Sequence, residues 1–208
     1  MIKVIPFIYE DLDDLYANTY LLIDDDKNCV VIDPSKDYRG IVTYINKNTL
    51  NLKAVLLTHG HIDHMRGVDA LVNAFHALLY IGFDDEDKLN DDTANCSRYL
   101  GEARIINSKA ITLADNEILH LINEDILVIH TPYHTSGSLC YYLKESKIIF
   151  TGDFLFYHGV GRCDLPSAMP YEFSSSLNKL AKLDSETKLY PGHGKFGKLG
   201  EEIIWALH

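Results

Sequence analysis

Apolar positions along the chain fall into short runs of strand length broken by polar turns, with two longer stretches of helical spacing in the first half. Strands are predicted near Ile2–Ile8, Tyr20–Asp24, Cys29–Asp33 and Ala54–Leu57, and helices near Arg39–Asn46 and Gly67–Phe75. The second half repeats the mixture, with strands near Glu117–Leu121, Ile126–Ile129, Leu139–Leu143, Lys147–Phe150 and Lys188–Tyr190. Helices are predicted there near Tyr171–Leu183 and Glu201–Leu207. Asn116 and Ser146 lie where the hairpins need turns. Periodicity alone therefore gives a mixed α/β chain in two similar halves.

Directly after the run Ala54–Leu57 comes Thr58-His59-Gly60-His61-Ile62-Asp63-His64, three imidazoles and a carboxylate within six positions. Neutral imidazole nitrogens and a hard carboxylate oxygen are donors that divalent cations take. A buried strand at Ala54–Leu57 would place them on the loop at its C-terminal end, where α/β sheets put their sites. A solvated loop, or a helix start in which Asp63 only caps, leaves that density of ligand types unexplained. Three further runs end in the same way. His130 to Ser138, including His134, follows Ile126–Ile129; Thr151-Gly152-Asp153 follows Ile148–Phe150; and Pro191-Gly192-His193-Gly194 follows Leu189-Tyr190.

With these motifs the chain resembles the metallo-beta-lactamase-fold hydrolases, from about residue 16 onward and in the usual order. Ala17 to Ile23 and Val30-Val31-Ile32-Asp33-Pro34 look like the first hairpin of that fold. The resemblance implies a four-layer αβ/βα sandwich, of mixed α/β (α+β) class, with metals at one edge between the sheets. It further implies that His59, His61 and His134 hold one metal, that Asp63, His64 and His193 hold a second, and that Asp153 bridges them. The expected ions are two divalent metals, zinc first, with iron and manganese compatible with the same donors. They would activate a shared water that Asp63 aims by accepting its hydrogen bond, which makes Asp63 the expected catalytic residue.

Gly161-Arg162-Cys163-Asp164-Leu165-Pro166 resembles the Gly-Arg-x-Asp-Leu-Pro loop of glyoxalase II-like hydrolases, and Asn95-x-Ser97 is similar to a segment of their short single-domain members. Tyr133 departs from the family, which usually has Gly between the Pro and the His, and is expected to reshape the mouth of the pocket. Lys198-Leu199 departs too, where relatives often carry Thr. The resemblance implies hydrolysis of a small thioester such as an acylglutathione, in which the thiol, of pKa about 8.5, leaves without a dedicated general acid. Two other functions are weighed. One is a mononuclear-iron persulfide dioxygenase using positions His59, His134 and Asp153; the other is a non-catalytic metal-binding module.

Composition narrows the partners. The 208 residues, 47% hydrophobic and without a Gly/Ser- or Pro-rich linker, read as one metallo-beta-lactamase-fold domain over residues 1–208. The chain ends fifteen residues after His193, which leaves room for one short helix and not for the C-terminal helical domain of two-domain glyoxalase II enzymes. A formal net charge of -11 argues against a nucleic-acid surface, and so against the RNA-processing nucleases that share the motif. The acidic runs Asp24–Asp26 and Asp84–Asp87 read as solvated turn and helix-start residues. No signal segment or membrane-length apolar stretch is present, so a cytoplasmic protein without membrane contact is expected, of unspecified oligomeric state. Cys29, Cys96, Cys140 and Cys163 lack paired zinc spacing and read as reduced thiols. His76, His120, His158 and His208 have no ligand pattern around them, His130 at most supports the site, and Arg162 and Asp164 are expected to pair and shape their loop.

Overall fold

The computed structural model describes residues 1–9, 16–36 and 38–208. Its first six strands are β1 (Lys3–Phe7), β2 (Thr19–Ile23), β3 (Asn28–Ile32), β4 (Asn51–Leu56), β5 (Leu78–Gly82) and β6 (Ile111–Leu113), bonded in sequence order into one sheet. β1 to β3 pair antiparallel, and β3 to β6 parallel. The parallel pairs need crossovers: α1 (Tyr38–Asn48) joins β3 to β4, α2 (Ile62–Met65) with α3 (Val68–Phe75) joins β4 to β5, and a segment holding the 3-10 helix Phe83–Leu89 joins β5 to β6. Then follow β7 (Ile118–Leu119), β8 (Ile126–His130), β9 (Leu139–Leu143), β10 (Ile148–Gly152), a small hairpin of β11 (Leu155–Phe156) and β12 (Gly159–Val160), α4 (Phe173–Leu180), β13 (Lys188–Pro191), β14 (Gly197–Lys198) and α5 (Leu199–Ala206). The second sheet has the order β14-β13-β10-β9-β8-β7, with β13 parallel to β10.

Alternation along the central strands builds the layers, because successive side chains of a strand face opposite sides. Tyr20, Leu22, Val30, Ile32, Ala54 and Leu56 of the first sheet meet Leu139, Tyr141, Leu143, Ile148 and Phe150 of the second in one buried cluster. Leu21, Cys29 and Val31 face the other way, onto Ile41, Ile45, Val68 and Leu71 of α1 and α3. Cys140, Tyr142, Ile149 and Leu189 turn outward from the second sheet onto Leu177, Leu180 and Leu199 of α4 and α5. The result is the four-layer αβ/βα sandwich. Each buried Leu, Ile or Val contributes roughly 1.5–3 kcal/mol over an exposed one, and the buried Tyr20 keeps a partner for its hydroxyl by donating to Pro191 O at 2.6 Å.

Several boundaries differ from expectation. The strand near Glu117 is only Ile118–Leu119, since Glu117 spends its carboxylate on the amide of Ala114 in the preceding turn. The helix near Tyr171 begins at Phe173, after a 3-10 turn over Pro170–Glu172, and stops at Leu180. β5 is not foreseen, because its apolar residues continue those of α3. The helix is stopped by His76 in the left-handed region, φ 52°. Among the described residues, no helix is long and apolar enough to cross a membrane.

Candidate metal centre

The sheets put the C-terminal ends of β4, β8, β10 and β13 at one edge, and each end delivers donor residues. The His59–His64 loop leaves β4, His134 follows β8, Asp153 follows β10 and His193 follows β13. His59 Nε2 lies 3.1 Å from His61 Nδ1, which lies 2.9 Å from His134 Nε2. Beside this trio, His64 Nε2 is 3.2 Å from Asp153 Oδ1 and 3.6 Å from Asp63 Oδ2. His193 Nε2 is 3.2 Å from Asp63 Oδ2 and 3.4 Å from Asp153 Oδ2. Asp153 Oδ2 is also 3.6 Å from His134 Nε2, so this carboxylate stands between the two groups. All seven residues singled out in the sequence come together.

Three of the five imidazoles have their outward nitrogen already committed. His64 Nδ1 meets Asp33 Oδ2 at 2.9 Å, His134 Nδ1 meets Arg162 O at 2.6 Å and His59 Nδ1 meets Thr58 Oγ1 at 3.2 Å. Each such bond fixes the ring and turns the other nitrogen inward. Asp33 also accepts from Thr58 N at 2.8 Å and Thr58 Oγ1 at 2.6 Å. The backbone comes close as well: a Cβ on Gly192 would meet His64 Cε1 at 2.7 Å.

Whether a metal fits here is a question of unmet demand. His61 Nε2 is buried without a hydrogen-bond partner, and His64 Nε2 and Asp153 Oδ1 face each other at 3.2 Å without forming a hydrogen bond, a costly arrangement unless something else satisfies them. Donor nitrogens around a tetrahedral zinc stand roughly 3.3 Å apart, close to the spacings of the trio. Charge leads to the same conclusion. Burial, then the neighbouring His64, His61 and His134, hold His59 well below the usual range, and burial with His134 pushes His61 down to about 4. Against the opposing effect of burial, Asp153, Asp63 and Asp33 raise His64, while Asp153 and the hydrogen bonds to Asp153 and Asp63 raise His193 to about 10. Asp63 falls to about 2 despite burial, through His64 and His193, and the same two imidazoles depress Asp153. Protons on His64 and His193 thus supply the positive charge that the carboxylates demand, and a divalent cation would replace them. The donor set fits a metal.

Beside the cluster opens a cavity of about 330 Å³. His61, Asp63, His134, Asp153 and His193 border it on one side, and Cys96, Tyr99, Leu100, Phe156, Arg162 and Leu165 complete its lining. Arg162 and Asp164 pair as expected, through Nε and Nη2 at 2.7 and 2.9 Å. Tyr133 does not shape the cavity: it is buried against Phe154 and Phe173, because that ring is better housed in the α4 layer than in water. His130 supports its loop through Nε2 to Ser136 O at 2.7 Å. His76, His120, His158 and His208 belong to none of the donor groups.

Sequence reasoning missed the residues behind the ligands. Asp33 follows β3 as His59 follows β4, so the same strand-end signal was present. Asp85 corrects the reading of its acidic run as solvated: it is 0% exposed. It accepts from Gly60 N at 2.8 Å, Thr135 Oγ1 at 2.8 Å, Gly137 N at 2.9 Å and Lys88 Nζ at 2.7 Å. One carboxylate thereby joins the loop of His59 and His61 to the loop of His134. Asp24 is buried too, holding the β2–β3 turn through Asn28 N at 2.8 Å and accepting Asn123 N at 3.0 Å.

The fold and this donor set define a metal-dependent hydrolase class, and the chain belongs to the Metallo-beta-lactamase superfamily, whose family model matches residues 12–193. The chain is similar to the hydroxyacylglutathione hydrolase GloC of Haemophilus influenzae, 33% identical over 197 residues that cover 89% of each protein. Among solved structures it is similar to the BLEG-1 B3 metallo-beta-lactamase, with TM-score 0.88 and 33% identity over 98% of this chain and 97% of that one. It is also similar to TTHA1623 in a di-iron-bound form, with TM-score 0.81 and 31% identity over 94% and 95%.

Proposed function

We propose that residues 1–208 form one domain that hydrolyses small thioesters in the manner of hydroxyacylglutathione hydrolases. His59, His61 and His134 would hold one divalent metal, Asp63, His64 and His193 a second, and Asp153 would serve both. The convergence of seven donors at one sheet edge, bordering an open cavity, is the observation that carries this reading. The thioester substrate is supported by the similarity to GloC, and a two-metal centre by the similarity to the di-iron-bound TTHA1623. Zinc suits the donors, as do iron and manganese. The unpaired state of all four cysteines suits a cytoplasmic protein.

Bound metals supply Lewis acidity and lower the pKa of coordinated water toward neutrality. The chain supplies the rest. Asp63, a carboxylate bordering the cavity, would accept a hydrogen bond from the attacking water and aim it. Asp33, Thr58 and Arg162 O hold the imidazoles in one orientation, which keeps the site preorganised. The departing thiolate needs no general acid, having a pKa of about 8.5.

The test is anaerobic release of free thiol by metal-replete protein, run beside beta-lactams, phosphodiesters and oxygen uptake on a persulfide. Thiol release without oxygen is the expected result. Oxygen consumption with no anaerobic release would overturn the reading in favour of a dioxygenase, and inertness toward the whole panel in favour of a metal-binding module.

A further inference from the structure

Apart from Arg162 and Cys96, the cavity wall away from the metal ligands is apolar, and the hydrolytic chemistry makes no use of it. Tyr99 and Leu100 are 65% and 40% exposed, although nothing in the fold requires large apolar side chains in solvent there. Phe156 comes from β11, and Leu165 from the loop after β12, to line the same space. Apolar side chains gathered around a cavity, with polar groups confined to one side, are the composition of a site for an apolar ligand.

Charge separates the possible occupants. Arg162 is the one Lys or Arg side chain among the described residues lining the cavity, and it already gives Nε and Nη2 to Asp164. A glutathione carrier brings two carboxylates that would need cations of their own, in a chain of net charge -11. A carboxylate left without a partner against an apolar wall is unfavourable, whereas an alkyl or aryl group gains from every methylene it buries there.

Building on the thioester-hydrolase reading, we infer that this site selects thioesters whose thiol carrier is an uncharged alkyl or aryl group over those carried by an anionic peptide thiol such as glutathione. Tyr99, Leu100, Phe156 and Leu165 would seat the carrier while the carbonyl faces the metal ligands.

The experiment compares acetyl thioesters of benzyl mercaptan and of glutathione by kcat/KM under anaerobic conditions. The benzyl ester is expected to lead by about tenfold or more, the worth of one buried apolar group. Phe156→Ser and Leu165→Ser should each lower the benzyl-to-glutathione ratio by roughly tenfold. A preference for the glutathione ester would overturn the inference while leaving the hydrolase intact. Loss of that preference in Lys195→Ala would identify the cation responsible, since Lys195 is exposed two positions past His193. If neither ester is cleaved, the hydrolase reading fails, and calorimetry still decides the inference. Benzyl methyl sulfide should bind at least tenfold more tightly than S-methylglutathione, before and after metal is chelated; equal or reversed affinities would refute it.

Discussion

Asp33 Oδ2 lies 2.9 Å from His64 Nδ1, while Asp33 Oδ1 accepts the amide of Thr58 at 2.8 Å. The Thr58 amide can only donate, so in Asp33→Asn the remaining oxygen must stay there and the new amide group must face His64. His64 Nδ1 would then accept, and its proton would move to Nε2, the nitrogen that faces Asp153. Metal affinity is expected to fall about 10- to 100-fold with the fold retained. Titration with zinc against a competing chelator, alongside circular dichroism, measures both. Unchanged affinity would show that His64 does not need this tautomer.

Asp85 should behave differently, because its partner is a buried cation. Lys88 is 2% exposed and in Asp85→Ala loses its close counterion, keeping only the exposed Asp87 carboxylate at 3.9 Å. An uncompensated buried charge costs about 3–5 kcal/mol, so urea unfolding should report a loss of that order. The double variant Asp85→Ala/Lys88→Met removes the stranded charge and should recover much of the stability. It should not recover full metal affinity, because Gly60 N, Thr135 Oγ1 and Gly137 N still lack their shared acceptor. Equal stability of the single and double variants would refute this account.

The candidate donors were legible because they combine two local signals, uncommon residue types at high density and a position directly after an apolar run. Asp85 lacked both. It sits among Asp84, Glu86 and Asp87, where a charge normally faces water, and only its burial beside Lys88 distinguishes it. The central strands were legible in place but not in orientation. All five residues of β2, β9 and β10 are buried, so no alternation of polar and apolar residues marks which face meets the other sheet. Tyr133 misled for a related reason: its neighbours in sequence are site residues, whereas its neighbours in space, Phe154 and Phe173, are aromatic core.

Acid should act on a contact remote from the centre. Asp69 in α3 accepts from Ser108 Oγ at 2.6 Å, Ser108 N at 2.8 Å and Asn107 N at 3.0 Å, tying the helix to that segment. Burial works to raise this carboxyl, but the bonds from Ser108 and Asn107 prevail and hold it below its ordinary value. A carboxyl depressed in the folded state stabilises above its unfolded pKa of about 3.9, and the contribution is lost as pH falls through the folded value. The stability difference between the natural chain and Asp69→Asn should therefore be full at neutral pH and shrink below about pH 4. Urea midpoints at a series of pH values measure it, and a difference constant down to strong acid would contradict the assignment.

Asp153 gives the most direct test of the centre. Its two oxygens face His64 at 3.2 Å, His193 at 3.4 Å and His134 at 3.6 Å, so it is the carboxylate that reaches both groups of donors. Asp153→Asn keeps the size and removes the charge. A neutral amide is a weaker donor to a divalent cation than a carboxylate. Bound metal, measured by elemental analysis after exhaustive dialysis, is expected to fall from about two per chain toward one or fewer, and thioester turnover to fall with it. His76→Ala and His208→Ala, outside every donor group, should leave metal content unchanged and so exclude a general effect of losing an imidazole. Two metals retained in Asp153→Asn would remove this carboxylate from the centre and require the two groups of donors to act independently.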